Sequence, residues 1–398
     1  MSERIAIIGA GAAGCFCAIE IKRRNPSAQV TVYEAGRKPL AKVAVTGGGR
    51  CNFTNTFKEI VRLEEAYPRG ARLMKRALMN FSNRDCMEWF ASEGVPYVIQ
   101  PDQCVFPRSQ DAMQIVHTFE RMLSNLGVRV MTDAKVESLR PGFELALSGG
   151  RIISAEMVVV TSGGGAVKML EGLDGIEIVK PVPSLFTLKL SDSGIRSLMG
   201  TVVENAVLSL AGTSFRSHGT LLLTDWGVSG PACLKLSSYA ARELAEKEYR
   251  GTLIINWAGE NEGSVRDLLS SMASSSPRKQ LGNTSPAGIT SRLWQHLLSR
   301  AQVPSERTWA ELGSKGMNRL VSVLTADSYE ITGRCHFKEE FVTAGGVSLG
   351  SINQNTLESK AYPGLFFAGE VLDIDAITGG FNLKAAWSTG YTVAMNLK

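Results

Sequence analysis

Ile5-Ala6-Ile7-Ile8-Gly9-Ala10-Gly11-Ala12-Ala13-Gly14 decides how this chain folds. The apolar run from Arg4 to Ile8 reads as a short buried parallel strand, and Ala12 to Arg24 as the helix that follows it. Between them Gly9 permits a tight turn, Gly11 leaves a phosphate unobstructed, and Gly14 lets helix and strand pack closely. A pyrophosphate is then expected at the positive helix end, against Gly9, Gly11, Ala12, Ala13 and Gly14. Gln29 to Tyr33 reads as a second strand. It delivers Glu34 about 20 residues beyond the last glycine, where a carboxylate accepts both hydroxyls of a ribose and disfavours a 2'-phosphate. An isolated G-x-G-x-x-G is weak, but strand, glycines, helix, strand and terminal acid together form a strong dinucleotide signature. It does not separate FAD from NAD.

Thr46-Gly47-Gly48-Gly49-Arg50-Cys51-Asn52-Phe53-Thr54-Asn55 comes soon after Glu34. Three consecutive glycines let a backbone loop lie flat against a planar or phosphorylated ligand, with amides and Arg50 supplying positive potential. No Gly-Lys-Ser/Thr follows, so it is not a P-loop; a mere turn is the competing reading. The run GLFFAGEVLDIDAITGGFNLKAAWSTGY, Gly364 to Tyr391, reads as a buried strand to Ala368. Glu370 and Asp373 follow at its carboxyl end, where open α/β sheets bind ligands, and Gly379-Gly380 opens a helix through Asn382 to Asn396. Free amides of Gly380, Phe381 and Asn382 at that positive helix end suit negative charge on a bound ligand. For the rings of Phe381 and Trp387, core packing is favoured over stacking on a ligand.

Together with Val105-Phe106-Pro107-Arg108-Ser109, Gly227-Val228-Ser229-Gly230-Pro231 and Thr343-Ala344-Gly345-Gly346-Val347, these segments resemble the BaiN/YhiN-like family of FAD-dependent oxidoreductases, which includes aminoacetone-oxidase-type members. The resemblance implies FAD as cofactor, with Glu34, Ala35, Gly36 and Arg37 at the nucleotide. It brings the loop of Thr46, Gly47, Gly48, Gly49, Arg50, Cys51 and Asn52 to the flavin and pyrophosphate. It also assigns Gly369-Glu370 to the ribityl chain or phosphate, and the backbone of Val136 to adenine. Thr161-Ser162-Gly163-Gly164-Gly165 resembles the returning turn that crosses the cofactor. Three positions depart from the family pattern. Thr224-Asp225-Trp226-Gly227 stands where Thr-His is usual, so any proton role passes to Asp225 or vanishes; a turn or helix-cap carboxylate is the stronger reading. Cys104 replaces a usual arginine, and the stretch after Gly165 is short.

The fold class expected is α/β, a Rossmann-like FAD-binding domain of the GR2 type with an inserted β-barrel-like plus helical domain. Residues 1–188 and 341–398 are assigned to the FAD-binding domain and 189–340 to the inserted substrate domain, β-rich over 189–260 and 326–340 and helical over 261–325. A strand meander is expected from Val128 to Val160. Within the insertion, strands are expected over Leu185 to Leu190, Thr201 to Leu210, Gly219 to Leu223, Gly251 to Trp257 and Ser328 to Phe337, with a helix over Pro231 to Lys247. Only one acid-tipped dinucleotide unit is encoded. A nicotinamide donor, NAD(P)H, therefore has to visit the flavin transiently, with direct oxidation by dioxygen as the other option.

A chain of 398 residues, 44% hydrophobic and 20% charged, buries a sizeable core, and its net charge of +5 is mild. Arg62, Arg69, Arg72, Lys75 and Arg76 form the best basic cluster, read as a solvated helix face rather than a nucleic-acid footprint. Seven scattered cysteines without a C-x-x-C pair argue for a reducing cytoplasm and against disulfides or zinc. Cys51 reads as a packed thiol more readily than a redox-active one. His117, His218, His296 and His336 show no metal spacing, so no metal is expected. Neither a signal peptide nor a membrane span is expected. The expectation is an oxidoreductase acting on a small amine or unsaturated ketone, with oligomeric state open. A flavoprotein acting on tRNA and a non-catalytic flavin sensor stay as alternatives.

Overall fold

The computed structural model describes residues 3–164, 167–335 and 342–397. Five parallel strands make the central sheet, in the order Leu365–Phe367, Met157–Val160, Arg4–Ile8, Gln29–Tyr33, Arg129–Met131. From Arg4–Ile8 the chain first builds outward to Gln29–Tyr33 and Arg129–Met131, then returns to build on the other side. That reversal opens a crevice beyond the carboxyl ends of Arg4–Ile8 and Met157–Val160, the ligand position of open α/β sheets.

Helix Ala12–Arg24 leaves the first strand through Gly11 and packs along the C-terminal helix Phe381–Asn396. Small residues permit this contact. A Cβ on Gly390 would stand 2.9 Å from the Ala13 carbonyl, and one on Gly14 would stand 2.0 Å from the Gly9 carbonyl. Trp387, wholly buried, sits 5.6, 5.6 and 5.4 Å from Phe16, Phe90 and Phe119, and its indole donates to Phe53 O at 2.9 Å. The ring is therefore core, as packing predicts.

Smaller sheets flank this layer. Val136–Arg140, Glu144–Leu147 and Ile152–Ser154 form an antiparallel meander. Thr54–Asn55, Cys104–Pro107 and Tyr97–Ile99 form a second antiparallel sheet, and Ile178–Ser184 pairs with Val342–Val347.

The chain divides into two compact units, Met1–Ser184 with Lys338–Lys398 and Leu185–Phe337. The second holds a closed barrel of six strands in the order Leu188–Leu190, Gly227–Ser229, Arg216–Leu223, Val202–Leu210, Gly251–Asn256, Asp327–Arg334. Leu208, Leu221, Leu223, Leu253, Ile255 and Ile331 are buried together in its core. Gly227–Ser229 was not expected as a strand, since three residues are too few to show alternation. The helix expected from Pro231 to Lys247 is two, Pro231–Tyr239 and Ala241–Glu246. Helices Glu262–Ser275, Ser291–Arg300 and Gly313–Ala326 complete the unit. His336, Phe337 and Gly165 lie outside the described residues.

The basic cluster is not one solvated face. Arg72, Lys75 and Arg76 are exposed, but Arg69 is mostly buried and paired with Asp375. A buried carboxylate elsewhere in the chain claims it, which local spacing cannot show. Among the described residues no helix is long and apolar enough to cross a membrane, and no group of three or more His, Cys, Asp or Glu could hold a metal.

Two predictions follow from burial. Gly14→Ala should lose about 3 kcal/mol or more, because backbone must shift to admit the methyl group, measured by urea unfolding. Lys384, in the first turn of the C-terminal helix, is fully buried; its Nζ donates to Phe81 O at 2.8 Å, and burial pulls its pKa down to about 8 from an ordinary 10.5. The unfolded chain holds that proton to higher pH. The penalty on the charged form is therefore felt in full below about pH 8 and fades toward pH 10.5. Relative to the parent protein, Lys384→Met should thus fare better at pH 7 than at pH 10.5, by about 3 kcal/mol, in denaturant titrations at both values.

Candidate cofactor site

At the head of the first helix the backbone is held tightly on one side and open on the other. Gly9 has a φ of +107°, and a Cβ there would lie 2.7 Å from the Thr161 carbonyl. The Thr161 hydroxyl lies 3.0 Å from Ile8 O and 2.9 Å from Gly9 O. Gly11 caps the helix in extended backbone, and nothing stands within 4 Å of its Cβ position. The first-turn amides, those of Ala12 and Ala13 among them, have no intrahelical acceptor and carry the positive end of the helix dipole.

Glu34 ends its strand against this turn. One carboxylate oxygen accepts from the Ala10 amide and the other from the Gly36 amide, both at 2.8 Å. Each oxygen keeps a further lone pair for a ribose hydroxyl. The chain then returns beside the acid: Asp133 N donates to Gly36 O at 3.0 Å and Ala134 N to Glu34 O at 2.8 Å. Val136 is buried at the start of the meander, opposite Leu147. Ala35 and Arg37 are exposed.

The glycine-rich loop begins as a helix that the sequence reading missed, over Ala41–Gly49, with non-helical backbone inside it from Thr46 to Gly48. Gly47, Gly48 and Gly49 have φ of +58°, +67° and +80°, a left-handed run that only glycine adopts routinely. Gly48 and Gly49 face open space. Arg50 stacks 4.6 Å over the Phe106 ring. Cys51 is buried with φ +59°, and burial pushes its thiol up to about 12, so it stays protonated and unreactive at neutral pH.

The C-terminal run closes on both elements. A Cβ on Gly369 would lie 2.8 Å from the Ala13 methyl, and the Gly369 amide donates to the Thr389 hydroxyl at 2.9 Å. Glu370 accepts from the Thr343 amide at 2.8 Å, stands 3.6 Å from Lys42 Nζ, and lies 3.8 Å from the Cβ position of Gly163. Asp373 is half-buried, its amide on Val347 O at 3.0 Å. Gly380, at φ +87°, caps the last helix; its Cβ position is 2.6 Å from Asn52 Oδ1. The Asn382 side chain clamps Ala376, accepting from its amide and donating to its carbonyl at 3.0 Å each. The Phe381 ring packs edge-on to Phe57 and Tyr67.

FAD fits this arrangement. Asn52 Oδ1 and Ser162 Oγ are buried without a hydrogen-bond partner among the described residues, and both belong to segments that border the open glycine edge. Unpaired buried polar atoms are costly, and a polar ligand relieves that cost. Sequence reasoning did not single out Lys42, Tyr67 or Asp375 and read Arg69 as part of a solvated face. Each contacts a partner distant in sequence, Glu370, Phe381, Arg69 and Asp375 in turn, so no local spacing marks it. Asp225 is exposed in a two-residue turn, where Thr224 N donates to Gly227 O at 2.9 Å.

Residues 3–396 match the family model described as the HI0933-like protein Rossmann domain. The chain belongs to that family. Its class is flavin-dependent oxidoreductase. Similar proteins include a 3-dehydro-bile acid delta(4,6)-reductase from Clostridium scindens, 30% identical over 98% of this chain and 97% of the relative. A ribosomal RNA dihydrouridine synthase from Escherichia coli is 29% identical over 98% and 97%. Among solved structures, the 3-ketosteroid delta1-dehydrogenase from Sterolibacterium denitrificans shares the fold, with a TM-score of 0.52 and 11% identity over 99% of each chain.

Because the Cβ position of Gly11 is open, Gly11→Val should fold normally yet lose FAD binding. Calorimetric titration of FAD into the folded variant checks this, and retained affinity would contradict the assignment of the pyrophosphate to this turn.

Proposed function

We propose that this member of the family binds FAD across both chain ends and reduces a carbon-carbon double bond conjugated to a carbonyl in a small organic molecule. The observation that carries the cofactor half is the convergence of the Gly9 to Gly14 turn, Glu34, Gly163, Gly369-Glu370 and the Asn52-Gly380 contact on one open edge. In this reading the helix head holds the pyrophosphate, Glu34 the ribose, and Glu370 the ribityl chain. The amides of Gly380, Phe381 and Asn382 present a positive edge to negative charge on the ring. FAD, when bound, supplies two-electron chemistry as hydride acceptor and donor.

The substrate half rests on chemistry that two relatives' names share. A delta(4,6)-reductase acting on a 3-dehydro bile acid and a dihydrouridine synthase each saturate a double bond in conjugation with a carbonyl. The second unit, which carries Thr224-Asp225 in place of the usual Thr-His, is assigned to substrate choice. The neutral Cys51 thiol serves as neither base nor nucleophile. The first unit has one acid-tipped dinucleotide strand-helix-strand among the described residues, so NAD(P)H is assigned a transient visit.

Purified protein should be yellow, bleach with NADH or NADPH under anaerobic conditions, and recover its absorbance on addition of a steroidal or simpler enone. Reoxidation by a uridine-containing RNA and by no enone would move the assignment to RNA. Bleaching followed by no recovery with either would overturn the substrate class.

A further inference from the structure

Asp375 lies in the segment that leads to the C-terminal helix, and its carboxylate is wholly buried. Arg69 grips it through Nε and Nη2, one nitrogen on each oxygen, and the Ser184 hydroxyl donates to Oδ2 at 2.8 Å. As a source of stability such a pair is weak, because taking both charges out of water offsets their attraction. What a bidentate guanidinium-carboxylate contact supplies is a fixed relative position of two backbones.

The surroundings show what is being placed. Arg69 and Asp375 also pair as a backbone bridge, and Gly70, at φ +79°, leaves no room for a side chain: its Cβ position is 2.6 Å from Ile374 Cγ1. Beyond Asp375, Ala376 is clamped by Asn382, and Ile377 N donates to Ala66 O at 3.0 Å. The Tyr67 hydroxyl then donates to Phe381 O at 2.9 Å. Residues 66 to 70 thus hold the approach to the helix at several successive points. The only ionic one is Arg69 with Asp375 among these contacts. The amides of Gly380, Phe381 and Asn382 follow a few residues on, and Asn382 is itself anchored back to this held segment through Ala376.

We propose that Arg69 and Asp375 are positioning residues for that amide edge, holding it where it meets the flavin ring. The proposal rests on the FAD reading above. Neither residue touches the ligand; each acts through the backbone of Asp375 to Asn382.

The test compares FAD affinity, by calorimetry, with the melting temperature of the FAD-free protein. The variants are Arg69→Lys, which keeps the charge and loses the fork, and the double variant Arg69→Met with Asp375→Leu, which replaces the pair by apolar groups. Both should melt within a few degrees of the parent, while FAD binding weakens about tenfold or more, the scale on which loss of a supporting contact shows in affinity. Parent-like affinity and flavin spectrum in either folded variant would overturn the proposal. If the double variant does not fold, Arg69→Lys decides alone; if neither folds, the pair specifies the fold and the proposal is overturned. A parent protein that takes up no FAD would instead remove the cofactor reading, and this inference with it.

Discussion

The helix that follows the first strand must lie against the turn that introduces it, closer than any side chain permits. The Cβ positions of Gly9, Gly14 and Gly390 each fall within 3 Å of backbone belonging to another segment. This backbone-on-backbone contact sets how closely helix Ala12–Arg24 approaches its own turn and helix Phe381–Asn396. The rest of the first unit follows from it. With the helix seated so close, its head faces the crevice at the sheet reversal, Glu34 reaches back to the Ala10 amide, and Gly369 settles against Ala13.

The first two strands of the parallel sheet were legible because their signals are local: apolar runs that end at Gly9 and Glu34 mark Arg4–Ile8 and Gln29–Tyr33 where they form. Arg129–Met131 and Met157–Val160 were expected as the ends of a meander from Val128 to Val160, but both join the parallel sheet, and only Val136 to Ser154 forms the meander, because strand pairing across the chain leaves no local mark. Most barrel strands were legible for the same reason, while Gly227–Ser229 is too short to carry a period. The helix over Ala41–Gly49 was hidden by its own ending, since a reader who sees three glycines infers loop for the whole stretch. The side of the site built from main chain was readable as a glycine pattern. The side built from ion pairs was not. Arg69 looked like one of several surface arginines until Asp375, over 300 residues on, claimed it.

Charge inside the first unit is used for geometry. Glu20 is buried on helix Ala12–Arg24 yet accepts from Arg23, Arg24 and the Trp89 indole, tying that helix to Asn83–Ser92. Lys384 and Ser388 both donate to Phe81 O, where helix Ala71–Asn80 ends. In each case one polar group deep in an aromatic cluster orients two helices that apolar contact alone would leave free to slide. Burying a charge costs stability. The arrangement is consistent with a site whose tolerances are finer than those of its scaffold.

The split of the chain has a consequence in time as well as in space. The barrel and its helices come from one continuous stretch, so most of their contacts close short loops. The first unit cannot complete its sheet until Leu365–Phe367 docks beside Met157–Val160, or seat its first helix until Phe381–Asn396 arrives. Closing such long loops is slow. During synthesis the middle of the chain is therefore free to fold while the earlier strands wait, their apolar edges exposed, for a partner that leaves the ribosome after it.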